Sequence, residues 1–118
     1  AVTLNGIAQG FAADCMLAAL EANGVQHALV NTGEIGVIGI QHPRHKDAFI
    51  SRARLDGRCI ATSGDYATTF SPDGEHNHIF DPRTGHSPKE FQSVTVLAKS
   101  GLEADALSTT IFVSGLQN

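Results

Sequence analysis

The chain has 118 residues, of which 42% are hydrophobic and 17% charged, a size and composition typical of one packed domain rather than of a disordered segment or two domains. Eight Lys and Arg against twelve Asp and Glu give a formal net charge of −4, so we expect no nucleic-acid partner and no basic surface for an anionic membrane. Charged residues interrupt every apolar stretch before the roughly 20 residues that a bilayer span requires.

The first predicted element is an amphipathic helix over residues 5–22. Its apolar residues recur at intervals of three and four, which is typical of a helix face that packs on a core: Ile7, Ala8, Phe11, Ala12, Cys15, Met16, Ala19 and Leu20. Asn5 is suited to the N-cap position and Asn23-Gly24 to a left-handed stop. We expect Cys15 and Cys59 to be buried as small hydrophobic side chains, since neither has zinc-type spacing.

Short runs rich in Val, Ile and Phe predict strands along the middle of the chain, at residues 27–31, 34–41, 48–55, 58–62, 68–70, 76–80 and 93–98. The turn at Asp56-Gly57 predicts a hairpin between 48–55 and 58–62, because this dipeptide tolerates positive φ angles. The turn at Ser71-Pro72-Asp73-Gly74 predicts another between 68–70 and 76–80.

A second helix is predicted over residues 102–115, because Ser100 and Glu103 form a capping-box pattern before an apolar run. Predicted strands outnumber predicted helices, and hairpins rather than strand–helix–strand units join them. The predicted fold class is therefore α+β, with a mostly antiparallel sheet and two main helices.

Asp105 and Thr109 lie four residues apart in the second predicted helix, so their side chains share one face. A carboxylate and a hydroxyl, completed by a backbone carbonyl and water, suit a hard cation such as Mg²⁺. The same pattern also fits an anionic residue near the start of a helix, where the macrodipole favours negative charge.

Two further groups of residues leave alternatives open. Gly6 and Gly10 flank a helix start, where backbone N–H groups can hold a phosphate, or they allow close packing of the helix on a strand. His78, Asp81 and Arg83 combine a proton-transfer group with a phosphate-binding one, or form an Asp-Pro turn beside a histidine.

The strand end at residues 62–66 carries hydroxyls and a glycine. This segment suits close approach to a planar ligand, or it merely turns the chain. Ser63 lacks the Gly-x-Ser-x-Gly context of a serine hydrolase, so we do not expect that activity.

Six segments carry motifs that occur in a fixed order along the chain. They are Asn5-Gly6-Ile7-Ala8-Gln9-Gly10-Phe11-Ala12, Leu29-Val30-Asn31-Thr32-Gly33, Thr62-Ser63-Gly64-Asp65-Tyr66, His78-Ile79-Phe80-Asp81-Pro82-Arg83-Thr84-Gly85, Ser93-Val94-Thr95-Val96 and Ala104-Asp105-Ala106-Leu107-Ser108-Thr109. Taken in order, these segments resemble the ApbE family of flavin transferases, which move FMN from FAD onto a threonine or serine of a target protein. The segment around Gln9 is similar to members associated with maturation of nitrous oxide reductase. The resemblance implies a T-fold-like core.

The resemblance implies a metal site and a reaction. Asp105, Thr109 and the backbone carbonyl of Gly6 would bind Mg²⁺ against the pyrophosphate of FAD, and AMP would be released as FMN reaches an acceptor flavoprotein. His78 would assist proton transfer from the attacking hydroxyl. The alternatives are a flavin-binding or assembly module without transfer activity, and an FAD pyrophosphatase that uses water as acceptor.

The remaining implied contacts with FAD come from Thr3, Gln9, His78 and Ile79. Two of these depart from the family pattern, which usually has aspartate at the position of Thr3 and lysine at that of Gln9. A Trp-containing hairpin that family members commonly carry is also lacking between residues 34 and 39.

Family members are more than twice as long as this chain. Residues 1–118 therefore resemble a central to C-terminal fragment, a single partial domain that holds the metal- and flavin-binding core. We expect a homodimer or swapped assembly to cover the sheet edges and apolar surface that such a fragment exposes. The N-terminal residues show no signal peptide, and the resemblance suggests the periplasm or the outer face of a bacterial inner membrane.

Overall fold

The structure is a computed structural model that describes residues 4–24, 37–54, 56–66, 68–72 and 76–116. Its helices and strands are, in chain order, α1 (Asn5–Ala22), β1 (Val37–Gln41), β2 (Phe49–Arg54), β3 (Cys59–Gly64), β4 (Ser93–Ala98) and α2 (Gly101–Ser114). The predicted α+β class with antiparallel pairing is confirmed. The strand predicted at 27–31 lies outside the described residues. No helix among the described residues is long and apolar enough to cross a membrane.

The four strands form two separate antiparallel pairs. β1 pairs with β2, from Val37 opposite Arg54, with a register shift between Ile40 and Gln41. β3 pairs with β4 in continuous register, from Cys59 opposite Ala98.

The hairpin predicted between residues 48–55 and 58–62 is therefore wrong. Gly57 has the expected positive φ, at 86°, but the turn leads from one strand pair to the other. A turn-forming dipeptide sets a local reversal of the chain, whereas packing of α2 on β3 and β4 decides which strands pair.

Among the described residues of the second predicted hairpin, which lack 73–75, the pairing is one antiparallel bridge between Thr69 and Asn77. Side-chain hydrogen bonds hold the chain beyond it. Asn77 is only 1% exposed; its N–H donates to Ser87 Oγ at 3.0 Å, and its Oδ1 accepts from the N–H of Ile79 at 2.9 Å. The segment that follows is thus fixed without a regular strand pair.

α2 lies between α1 and the β3–β4 pair. It begins as the capping pattern predicted, with Ser100 Oγ accepting from the N–H of Glu103 at 3.1 Å. Its buried residues recur on one face, with Phe112 fully buried, and are Gly101, Ala104, Ser108 and Phe112. This face anchors the helix on the strands.

The bounds of α1 match the prediction, but two of its details do not. Leu4, not Asn5, is the N-cap residue, and no side chain caps this end. Gly24, with φ of 80°, is the left-handed residue after the helix, as predicted.

The apolar stripe predicted to face the core points mostly away from the described part of the chain. Its exposed members are Ala8, Phe11, Ala12, Cys15, Met16 and Ala19. The reason is that α1 meets α2 through the opposite, glycine-containing side, where Gly10 is buried. The expectation of a buried Cys15 is wrong for the same reason, while Cys59 is half-buried; both thiols are free.

Candidate functional site

The two helices come into backbone contact at a pair of glycines. A Cβ added to Gly10 would lie 2.8 Å from Asp105 Cβ and closer still to the carbonyl oxygen of Gly101. A Cβ added to Gly101 would lie 2.8 Å from the carbonyl oxygen of Gly10. Only residues without a side chain permit this approach. The glycine thus serves a helix–helix contact, not the helix–strand contact considered from the sequence.

This contact brings Asp105 against the start of α1. Asp105 Oδ2 accepts a hydrogen bond from the N–H of Gly10 at 2.9 Å. In an α-helix that N–H faces the carbonyl four residues earlier, which here belongs to Gly6. The Asp105 carboxylate and the Gly6 carbonyl therefore approach the same N–H group.

Thr109, one turn further along α2, reaches the same place. A Cβ built on Gly6 would lie 3.4 Å from Thr109 Cγ2 and 3.8 Å from Thr109 Oγ1. The structure thus brings together Gly6, Asp105 and Thr109, which stand at opposite ends of the sequence. Gly6 and Thr109, but not Asp105, line an open groove of about 290 Å³, whose other lining residues are Phe80, Pro82, Thr110, Val113 and Ser114.

The donor chemistry of these three residues fits a hard cation. One carboxylate, one hydroxyl and one carbonyl are all oxygen donors, and a single carboxylate leaves coordination positions for phosphate oxygens and water. All three residues are half-buried. Among the described residues no group of three or more His, Cys, Asp or Glu could hold a metal ion. The metal-binding role of Gly6, Asp105 and Thr109 stays a prediction.

Asp14 is a residue of this site that sequence reasoning missed. Its Oδ1 accepts from the N–H of Gly101 at 2.7 Å and its Oδ2 from the N–H of Leu102 at 2.9 Å. A side chain of α1 thus satisfies free N–H groups at the start of α2, where the helix dipole favours a carboxylate. The available signal was an acidic residue four positions after Gly10, and therefore on the same side of the helix.

Asp14 also affects the half-buried thiol of Cys59. Burial raises the pKa of Cys59, and the negative charge of Asp14 raises it further. The thiol of Cys59 is therefore kept protonated at neutral pH.

Ser63, at the end of β3, lies beside the candidate ligand Thr109. Ser63 Oγ is 3.0 Å from Thr109 Oγ1 and 2.9 Å from Ser108 Oγ. The sequence indicated only that this strand end carries hydroxyl groups.

Asp65, two residues after Ser63, forms an ion pair with Arg44. Its two carboxylate oxygens accept hydrogen bonds from Arg44 Nη1 and Nη2, each at 2.6 Å, and this hydrogen bonding raises the pKa of Arg44.

His78 is exposed, and its ring has a defined hydrogen-bonding direction. Nδ1 lies 3.3 Å from the carbonyl oxygen of Thr68. A carbonyl only accepts, so in the neutral ring Nδ1 carries the proton and Nε2 is the acceptor nitrogen. The ring can therefore receive a proton at Nε2.

Asp81 and Arg83, which the sequence grouped with His78, pair with each other. Asp81 accepts from the Arg83 N–H at 2.8 Å and from Arg83 Nη2 at 2.9 Å. The Arg83 side chain, and then its backbone N–H, hold the pKa of Asp81 below its usual value. The Asp-Pro turn is thus the interpretation that the contacts of Asp81 and Arg83 support.

The other predicted FAD contacts differ in exposure, and one of them lies outside the described residues. Gln9 is exposed on α1. The Ile79 side chain is buried, and its N–H donates to Asn77, which leaves the Ile79 carbonyl as its polar group for a ligand. Thr3 lies outside the described residues. Phe80 and Pro82 carry this segment to the groove beside Thr109.

The chain is similar to known proteins in both sequence and structure, and the two comparisons agree on the family. The chain is 34% identical to the FAD:protein FMN transferase of Klebsiella pneumoniae strain 342 and 35% identical to that of Escherichia coli K12, over 97% of its length in both cases. It covers only 39% and 37% of those relatives. The chain therefore spans about two fifths of the length of the curated relatives it matches.

Two crystal structures show the same architecture. The ApbE protein of Thermotoga maritima matches 95% of the chain with a TM-score of 0.78 and 35% identity. The apo form of the flavinyl transferase ApbE of Pseudomonas stutzeri matches 98% with a TM-score of 0.73 and 35% identity. The chain covers 40% of each. Since the ApbE family model also matches residues 1–118, the chain belongs to the ApbE family, as its sequence motifs predicted.

Proposed function

We propose that this chain forms the metal- and flavin-binding core of a Mg²⁺-dependent FAD:protein FMN transferase. The observation that carries the proposal is the meeting of Gly6, Asp105 and Thr109 where α1 contacts α2, with Gly6 and Thr109 lining an open groove. These residues would hold Mg²⁺, and FAD would enter the groove with its pyrophosphate toward them. The names of the relatives from Klebsiella pneumoniae and Escherichia coli support the same activity.

The reaction exchanges the phosphoanhydride bond of FAD for a phosphoester bond to the acceptor. The hydroxyl oxygen of a threonine or serine on the acceptor flavoprotein would bond to the phosphorus of the FMN half of FAD. The bond from that phosphorus to the bridging oxygen would break, and AMP would leave. Bound Mg²⁺ would supply charge neutralisation at the phosphates.

The chain's own groups would orient the substrate and move the proton. His78 Nε2 is the acceptor nitrogen of an exposed ring, so it can take the proton of the attacking hydroxyl when an acceptor protein docks. Phe80, which is exposed and borders the groove, gives a planar surface for a ring of FAD.

Gln9 is the feature that favours a second candidate function. Family members usually have lysine at this position, and the exposed Gln9 side chain brings no charge to a pyrophosphate. A module that binds flavin without transferring it would show this loss. Gln9→Lys separates the two candidates, because a gain in transfer supports a weakened enzyme, whereas unchanged FAD retention without turnover supports a binding module.

The proposal is tested by mixing the full-length protein with FAD, Mg²⁺ and a candidate acceptor, and following the acceptor by intact-mass spectrometry. We expect a mass increase equal to FMN on a threonine or serine, together with one AMP per transfer. An acceptor whose target hydroxyl is removed is the control. Release of AMP without any acceptor would identify a pyrophosphatase instead, and no modification of several genuine acceptors would reject the transferase.

The compartment is proposed on the family resemblance alone. We place the protein in the periplasm or at the outer face of a bacterial inner membrane. Fractionation of cells that express the full-length protein tests this placement, and recovery only with the cytoplasm would contradict it.

A further inference from the structure

Three hydroxyl groups and one carbonyl form a continuous hydrogen-bonded chain beneath the candidate metal site. Ser108 Oγ donates to the carbonyl oxygen of Asp105 at 3.1 Å. Ser63 Oγ lies 2.9 Å from Ser108 Oγ and 3.0 Å from Thr109 Oγ1. Ser108 is fully buried and Ser63 is 8% exposed, so these protein groups are in effect one another's partners.

The order of the protons in this chain follows from simple valence. Each hydroxyl has one proton to donate, and a carbonyl can only accept. Since Ser108 gives its proton to Asp105, it must accept from Ser63. Since Ser63 gives its proton to Ser108, it must accept from Thr109. The proton of Thr109 is therefore directed at Ser63.

This order decides what Thr109 presents to the groove. With its proton held by Ser63, the Thr109 oxygen offers lone pairs on the side where Gly6 and the groove lie. A cation is bound by lone pairs and is repelled by the positive end of an O–H bond. We infer that Ser63, acting through Thr109, is a positioning residue for cation binding; this inference rests on the proposed function.

The sheet itself does not account for a hydroxyl at position 63. β3 pairs with β4 through backbone groups, with Ser63 opposite Val94, and an apolar side chain would serve that pairing equally well. A hydroxyl removed from water is costly unless it is hydrogen-bonded, and both of its described side-chain partners are on α2. Ser63, at the strand end for which the sequence indicated no definite function, is thus assigned the role of orienting Thr109.

The test uses Mn²⁺ as the probe, titrated by calorimetry into the full-length protein and its variants, with thermal unfolding recorded for each. Ser63→Ala is expected to weaken Mn²⁺ binding by about 10-fold, the usual effect of removing a group that orients a ligand. Ser63→Thr, which keeps the hydroxyl, is expected to restore most of it. Thr95→Ala is the matched control, because Thr95 pairs its hydroxyl with Thr62 at 2.9 Å in the same strand pair; we expect wild-type affinity.

Ser108→Ala separates proton ordering from general support of the fold. Without Ser108, the Ser63 proton loses its acceptor and can turn toward Thr109, so Mn²⁺ binding should weaken a few-fold. The double variant Ser63→Ala/Ser108→Ala should bind no more weakly than Ser63→Ala alone, because Ser108 acts only through Ser63. Independent structural damage would instead give additive losses, and that result would overturn the inference.

The outcomes also separate this inference from the proposed function. Wild-type affinity in Ser63→Ala, with FMN transfer intact, would overturn the inference alone. A wild-type protein that binds Mn²⁺ with the expected dependence on Ser63 but transfers no FMN would overturn the proposed function and support the inference. A wild-type protein that binds no Mn²⁺ would overturn the inference and the Mg²⁺ requirement together.

Discussion

The Asp105 carboxylate combines a hydrogen bond to α1 with a negative charge at the candidate metal site, and two substitutions separate these two roles. Asp105→Asn keeps an oxygen for the Gly10 N–H but removes the charge. We expect it to lower Mg²⁺ affinity by more than about 10-fold while leaving the free energy of unfolding almost unchanged. Titration calorimetry with Mg²⁺ and urea unfolding measure the two effects, and unchanged Mg²⁺ affinity would remove Asp105 from the site.

Asp105→Ala should differ from Asp105→Asn only in stability. Because Asp105 lies near the start of α2, its position alone predicts that Asp105→Ala removes Mg²⁺ binding with little effect on folding. The hydrogen bond from Gly10 revises that expectation, because losing the acceptor destabilises the helix contact by about 1 kcal/mol. Equal unfolding free energies for the two variants would show that this hydrogen bond contributes nothing.

Asp81 gives the turn at residues 81–86 a dependence on acidic pH. Arg83 lowers the pKa of Asp81 in the folded protein, so the ion pair stabilises the fold fully above the ordinary aspartate pKa of about 3.9. This stabilisation is lost as the pH falls from that value through the lowered pKa of Asp81 in the folded protein. Asp81→Asn should therefore lose less stability than the wild type between about pH 5 and pH 3. Urea unfolding across that range is the measurement, and parallel pH profiles would contradict the prediction.

At the level of single residues, the sequence predicts those contacts that depend on residues a few positions apart along the chain. The shared helix face of Asp105 and Thr109 follows from their spacing of four. Asp14 and Ser63 could not be assigned in this way, because their partners Gly101 and Thr109 lie 87 and 46 residues away along the chain. Such contacts depend on how the helices and strands pack.

The contact between α1 and α2 depends on where glycine stands along α1. A side chain at Gly10 would meet the backbone of Gly101, so Gly10→Ala must push the helices apart and should cost about 2 kcal/mol. A side chain at Gly6 would make only an ordinary 3.4 Å contact with Thr109 Cγ2. Gly6→Ala should then be neutral or stabilising by up to about 1 kcal/mol, since alanine favours helix. Urea unfolding compares them, and equal effects would rule out this packing.

For helices and strands as well, the sequence predicts features set by nearby residues and misses those set by distant contacts. The bounds of α1 and the cap of α2 follow from periodicity and capping, which act over a few residues. The predicted pairing of 48–55 with 58–62 is wrong, because β2 pairs with β1 and β3 pairs with β4. The side of α1 that packs on α2 was also mistaken, because glycines make that contact while the larger apolar side chains face outward.

At the scale of the molecule, α1 has an apolar side that faces away from α2 and is left uncovered. One side meets α2, and the other leaves Phe11 57% and Met16 51% exposed. An exposed apolar surface of this kind is typical of a side that contacts another protein or another part of a larger assembly. The matched relatives, of which the chain covers about two fifths, are large enough to cover such a side, and so is a second copy of the chain.

Produced as these 118 residues, the protein should therefore self-associate through the exposed side of α1, as a homodimer or swapped assembly. Phe11→Ser/Met16→Ser should shift the protein toward monomer, because it removes the largest apolar side chains of that surface. Leu116→Ser is the control, since Leu116 is 72% exposed but lies beyond the end of α2. Light scattering after size-exclusion chromatography gives the mass; a wild-type monomer, or an oligomer that the double variant leaves intact, would show that this surface does not drive association.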